Sequence, residues 1–217
     1  SFPTRRSSDL AANLALIQAS MNLGLLKAGD RVAFSALTWA TNVMPLIQLG
    51  LTPVALDVEL ENLNVGSKTL IESHKANPIK AFFITNLLGF CADLAEIKSY
   101  CQQNNILLLE DNCESFGSSY QQTLLGNFGL ASTFSFFVGH HLSSIEGGAV
   151  CTSDFKMYEM LKMCRAHGWS RNLSKESAER LKTENKISDF YDLYTFYELA
   201  YNLRPTEITG FIGCSQL

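Results

Sequence analysis

Apolar residues recur along this chain in two alternating rhythms. Residues 11–27 carry Leu14, Ile17, Met21 and Leu25 at helical spacing, with Gly29 as the stop signal. RVAFS at 31–35 is an apolar run of strand length, and 41–49 has the pattern of a short helix carrying Pro45. TPVALD at 52–57 predicts a second strand, 67–76 a weak helix, and KAFFIT at 80–85 a third strand. Residues 92–104 place Leu94, Ile97 and Cys101 on one helical face, and ILLLE at 106–110 predicts a fourth strand. STFSFF at 132–137 and GAVCTS at 148–153 complete the strands, and 154–166 predicts a further helix. Strands alternating with helices predict an α/β fold built on a mostly parallel sheet with helices on both faces.

Beyond residue 171 the rhythm breaks. NLSKESAERLKTENKISDF at 172–190 is charged and polar, the pattern of a solvated helix or a mobile loop. It joins a sheet domain at 11–171 to a final segment at 191–217, whose ending, FIGCSQL, stops inside a helical pattern. The chain is therefore expected to continue. The first ten residues, SFPTRRSSDL, resemble one reading frame of an adapter used in short-read sequencing libraries, and fold reasoning begins at Ala11.

Composition narrows the functional classes. The 217 residues carry a formal charge of −4, which gives no electrostatic footprint for nucleic acid or an anionic membrane surface. No apolar run approaches the ~18 residues of a membrane span, and no secretory leader is visible. Six cysteines without a CxxC pair suit a reducing cytoplasm.

In an open parallel sheet, ligands bind beyond the C-terminal ends of the strands. The predicted strands deliver unusual residues to that edge: Thr38-Trp39 after the first, Asn86 after the third, Asp111-Asn112-Cys113-Glu114 after the fourth, and Ser135 through His141 after the fifth. Each also has a plainer reading. Trp39 could pack at the rim, Asp111 could cap a helix, Ser135 could be a tolerated strand residue, and His140 and His141 could be loop residues satisfied by carbonyls. A zinc site would need two further ligands at usable spacing, and His74 and His167 sit on helical segments without a cysteine partner in register.

LLLEDNCESFGSSYQQTLLGNFGLASTFSFFVGHHLSSIEGGAVCTS, from Leu107 to Ser153, resembles the DegT/DnrJ/StrS sugar aminotransferase family. AGDRVAFSALTWATNVMPLIQLGLTPVALDV and YNLRPTEITGFIGCSQL extend the resemblance from about Ala11 to Leu217. The likeness implies an aspartate aminotransferase-like large domain with a seven-stranded, mostly parallel sheet, followed by a small C-terminal domain that this chain lacks. It implies pyridoxal 5′-phosphate (PLP), or its amino form (PMP), as cofactor. Asp111 matches the carboxylate facing the pyridine nitrogen, Trp39 the stacking aromatic, and Ser135 the phosphate-binding hydroxyl. Glu114 takes a place where the family often has glutamine. Asn202 matches an asparagine reaching the neighbouring subunit's cofactor phosphate, which implies a homodimer with shared active sites. Just before Ala12-Asn13 the family carries a Gly/Ser phosphate turn, and here the adapter-like residues stand instead.

His140 stands where the aminotransferases carry the lysine that forms an imine with PLP. Imidazole has no primary amine, and the nearest downstream lysine is Lys156. The same exchange marks the nucleotide-sugar 3-dehydratases. The resemblance therefore implies a 4-keto-6-deoxy nucleotide sugar as substrate, glutamate as amino donor, and His140 as the base at the cofactor's C4′ carbon. The setting would be deoxysugar and lipopolysaccharide biosynthesis. Sugar aminotransferase and non-catalytic PLP-binding homologue remain the alternatives. One dehydratase branch adds an iron–sulfur cluster. Cys113 matches one of its positions, but 165–190 has no cysteine to supply the others, so no cluster is expected.

Overall fold

The computed structural model describes residues 2–6 and 9–216. The first part runs β1 (Phe2–Arg6), α1 (Asp9–Asn22), β2 (Arg31–Ser35), α2 (Ala40–Gln48), β3 (Thr52–Leu56), α3 (Ser67–Ala76), β4 (Ala81–Thr85) and α4 (Leu94–Gln103). Then come β5 (Leu107–Asp111), a small hairpin of β6 (Ser119–Tyr120) and β7 (Thr123–Leu124), β8 (Ala131–Ser135) and β9 (Gly148–Thr152). The helices α5 (Phe155–Arg165), α6 (Lys175–Asn185), α7 (Asp189–Asp192) and α8 (Glu207–Cys214) close the chain.

Seven strands form one sheet in the order β1-β9-β8-β5-β4-β2-β3. From β3 to β8 every pairing is parallel, and β9 runs antiparallel to both β8 and β1. The register sets Thr85 beside Asp111 and Asp111 beside Thr133, so β4 and β5 finish level at one edge and β8 runs on past them to Ser135.

Side chains alternate across this sheet, as the pleat requires. Val32, Ala81, Phe83 and Leu109 face a core shared with α1 and α5. Ala33, Phe82, Ile84 and Leu108 face the opposite core, against α3 and α4. Because both faces are covered, the strands read as continuous apolar runs. Helix α1 is enclosed on most sides: Ala12, Ala15, Leu16, Ile17 and Ala19 are fully buried, and alanines at those positions let neighbouring elements approach. Leu14 and Met21 are only half-buried.

The helix expected over 11–27 ends earlier, at Asn22. Gly24 takes φ +71, and Leu25 and Leu26 both donate their N–H to the Ser20 carbonyl, a left-handed C-terminal stop. Gly29, at φ +86, instead turns the chain into β2. Within 172–190, residues 175–185 adopt the helical alternative, capped by Ser174 Oγ accepting from Ser177 N at 3.1 Å. The segment after α7 returns to the sheet domain. Tyr197 N donates to the Gly168 carbonyl, Tyr201 N to Cys164, and Leu203 N to Arg165. No helix among the described residues is long and apolar enough to cross a membrane.

Candidate active site

The C-terminal edge of the parallel strands opens into a cleft of about 520 Å³. Its lining includes Thr38, Trp39, Asp111, Glu114, His140 and Glu146. Four of the six residues singled out in the sequence therefore meet in one place, although they come from three crossings of the sheet.

Each is held by its element. Trp39 sits at the N-terminal boundary of α2 and leaves 76% of its surface exposed, presenting a flat apolar wall. Just before it, Thr38 Oγ1 and Thr85 Oγ1 lie 2.7 Å apart and tie that loop to the end of β4. Asp111 is the last residue of β5 and is almost fully buried. Its Oδ2 accepts from Asn13 Nδ2 at 3.0 Å and Asn42 Nδ2 at 3.2 Å, and its Oδ1 accepts from Cys113 N at 3.1 Å. Three donors on one carboxylate offset the desolvation of a buried charge.

Glu114 Oε2 accepts from Leu88 N at 3.0 Å. Leu88 is a left-handed residue at φ 52, a conformation unfavourable for leucine that the Glu114 contact helps retain beside the cleft. Ser135 ends β8, is buried, and accepts from Phe137 N on its Oγ at 3.3 Å. His140 lies in the loop that follows, half-buried, with its N–H on the Phe137 carbonyl and its ring edge-on to Phe137 at 6.3 Å. His141 is exposed and joins His140, Glu114 and Leu88 around an adjoining space of about 420 Å³.

Asn202 lies apart from this cleft. It is exposed, bridges Ala166 in the returning segment, and accepts from Arg204 Nε at 3.0 Å. A second cavity, about 370 Å³ beneath α8, is walled by Phe116, Phe134, Phe136 and Cys151 and contains none of the six.

No lysine lines the cleft among the described residues. Lys156 opens α5, directly after β9. Because β9 runs antiparallel and Thr152 pairs with Ala131, the first residue of β8, Lys156 falls at the opposite edge of the sheet. Among the described residues, no cluster of three or more His, Cys, Asp or Glu side chains could hold a metal ion.

Sequence reasoning passed over three residues that shape the site. Asn13 and Asn42 are fully buried, and their one visible signal is an amide within an otherwise apolar helical stretch. Glu110 is also fully buried and points to the other sheet face from Asp111. Its Oε1 accepts from Phe128 N and Gly129 N, both at 2.7 Å. Its Oε2 accepts from Gly126 N at 2.8 Å and Asn86 Nδ2 at 3.3 Å. One carboxylate thus gathers the loop that leads into β8.

A mostly parallel, doubly covered sheet with an aromatic wall, a buried carboxylate and a histidine at its C-terminal edge defines the large domain of a PLP-dependent transferase fold. The chain matches the DegT/DnrJ/EryC1/StrS aminotransferase family over residues 7–217, and it belongs to that family. It is 38% identical over 213 residues to a GDP-4-keto-6-deoxy-D-mannose 3-dehydratase of Escherichia coli O55:H7, covering 97% of this chain and 54% of that protein. A protein with the same description from Yersinia pseudotuberculosis is 37% identical, with 97% and 53% covered. The solved structure of the E. coli dehydratase with bound hydrated PLP aligns at a TM-score of 0.89 and 37% identity, covering 100% of this chain and 55% of that one. The chain thus spans about half the length of these relatives.

Proposed function

We propose that this chain is the cofactor-binding part of a PLP/PMP-dependent 3-dehydratase that acts on a nucleotide-linked 4-keto-6-deoxy sugar. The observation carrying this reading is His140: it lines the cleft, where the resemblance puts it in place of the family's lysine, and among the described residues no lysine lines that cleft. The resemblance to two proteins described as 3-dehydratases supports the same choice over transamination.

The residues present fit the cofactor. A cleft of about 520 Å³ lies within the range that holds small cofactors. Asp111 is an ionisable group at its wall whose visible partners all donate, so it can accept one more N–H. Trp39 offers a ring face, and Ser135 places a hydroxyl at the end of β8 for a phosphate. The family's phosphate turn would stand just before Ala12, where this chain has the adapter-like residues instead, and of these residues 7 and 8 lie outside the described residues.

When bound, the cofactor supplies an electron sink for breaking bonds next to the sugar's C4 carbon. Asp111 would hold a proton on the ring nitrogen, and Trp39 would cover one ring face. His140 offers an imidazole nitrogen that would accept a proton from the C4′ carbon of such a cofactor, and its ring could not tether the cofactor covalently. The protonated imidazole can then assist loss of the C3 hydroxyl as water. Glutamate serves as amino donor. Asn202 is exposed and outside its own chain's cleft, which supports a reach toward the phosphate of a second copy in a homodimer. Six cysteines without disulfides fit a cytoplasmic enzyme of deoxysugar or lipopolysaccharide biosynthesis.

The test is product analysis. The full-length protein, loaded with PLP and given glutamate and GDP-4-keto-6-deoxymannose, is expected to release a 3-deoxy sugar. An amino sugar as the sole product overturns dehydration. Borohydride treatment is expected to leave no cofactor fixed to any lysine, and a trapped lysine adduct overturns the role of His140.

A further inference from the structure

The way Asp111 is held gives two asparagines a role of their own. Asn13, in the second turn of α1, and Asn42, in the first turn of α2, both aim Nδ2 at Asp111 Oδ2, at 3.0 and 3.2 Å. Asn13 Nδ2 also lies 3.1 Å from the Thr41 carbonyl, joining the two helices beside Trp39. A carboxylate offers about four lone-pair positions, two per oxygen. Both positions on Oδ2 are taken, and Cys113 N takes one on Oδ1. The remaining position is on Oδ1.

Packing alone does not account for these amides. Asn13 and Asn42 are 0% exposed, and the Oδ1 atom of each is buried without a hydrogen-bond partner among the described residues. A buried oxygen left unsatisfied is unfavourable, so a leucine of similar size would serve a purely structural position better. Both residues keep the amide, and both direct its donor end at the same oxygen. The terminal torsion of an aspartate is broad and two-fold, so without such a clamp its oxygens can exchange places.

We propose that Asn13 and Asn42 are positioning residues that saturate Asp111 Oδ2 and thereby present Oδ1 to the ring N–H of a bound pyridine cofactor. This rests on the PLP reading above. The clamp makes the site select the N-protonated ring, because the one free position on the carboxylate accepts and cannot donate. It also couples the carboxylate to the loop that carries Trp39, through the contact between Asn13 and the Thr41 carbonyl.

The experiment uses the full-length protein with PLP labelled with ¹⁵N at the ring nitrogen. The parent is compared with Asn13→Leu, Asn42→Leu and the double variant. Each single change is expected to weaken PLP binding about tenfold, the factor typical of one lost hydrogen bond to a charged group. In the double variant the ring-nitrogen resonance is expected to move toward that of unprotonated pyridine, while thermal unfolding stays cooperative. A resonance unchanged from the parent overturns the proposal. If the leucine variants do not fold, Asn42→Asp keeps the shape while removing the donor, and it is expected to move the resonance the same way. A parent that binds PLP beside variants that bind equally well overturns the clamp alone. A parent that does not bind PLP overturns the clamp and the cofactor reading together.

Discussion

Replacing Glu110 with glutamine probes the buried carboxylate beneath the site. Four donors converge on it: Phe128 N and Gly129 N on Oε1, and Gly126 N and Asn86 Nδ2 on Oε2. Glutamine keeps the size and one accepting oxygen. In its better orientation that oxygen serves the two 2.7 Å contacts, and the amide nitrogen then faces Gly126 N and Asn86 Nδ2 donor to donor. Gly126 N loses its acceptor at about 1–3 kcal/mol, whereas Asn86 Nδ2 keeps its 2.7 Å bond to Asn112 Oδ1. At about 2–4 °C per kcal/mol for a chain of this length, a central loss of ~2 kcal/mol lowers Tm by roughly 4–8 °C. The assay is far-UV circular dichroism melting at pH 7, with urea unfolding as a second measure. A Tm within about 2 °C of the parent would refute the reasoning, because it would mean that the 126–129 loop does not depend on this carboxylate.

Other perturbations follow from the same structure. Gly168 has φ +80, and an added Cβ would lie 2.0 Å from the Glu198 carbonyl oxygen, so Gly168→Ala is expected to detach the returning 197–203 segment and speed its cleavage in limited proteolysis. Trp39→Ala should weaken PLP binding roughly tenfold, as loss of ring stacking does, yet leave Tm within about 1 °C, since that side chain is 76% exposed. Burial pushes the Cys101 thiol up to about 12, so iodoacetamide at pH 8.5 should label the exposed Cys214 and spare Cys101, as peptide mass spectrometry can read. The sign for stability follows: the neutral Cys101 thiol contributes fully below its ordinary value of 9.0, and that contribution is lost as pH rises toward about 12. An alkaline unfolding series in which Cys101→Ser shows a steeper decline than the parent would contradict this.

Much of the fold was readable because its signals are local. RVAFS, KAFFIT and ILLLE are short, apolar and bounded by turn residues, and β2, β4 and β5 lie within a residue or so of where those runs predict them. The end of α1 was misread because two glycines compete as stop signals, and only the hydrogen bonds to Ser20 show that Gly24 ends the helix. The β6–β7 hairpin escaped notice because two-residue strands carry no periodicity. Trp39, Asp111, Glu114 and His140 could be gathered in advance because the end of a parallel strand is a position the sequence reveals.

The sequence by itself determined the alternation of strands and helices between α1 and α5, the apolar runs that bury both sheet faces, and the place of His140 after a parallel strand. Those properties follow from residue type and short-range spacing. The tertiary structure decided what surrounds the chemistry. Asn13 and Asn42 meet Asp111 across separations of 98 and 69 residues, and Glu110 holds a loop 16 to 19 residues downstream. Such contacts leave no period in the chain, since a buried amide in one helix and a carboxylate at a distant strand end become partners only when the sheet brings them together.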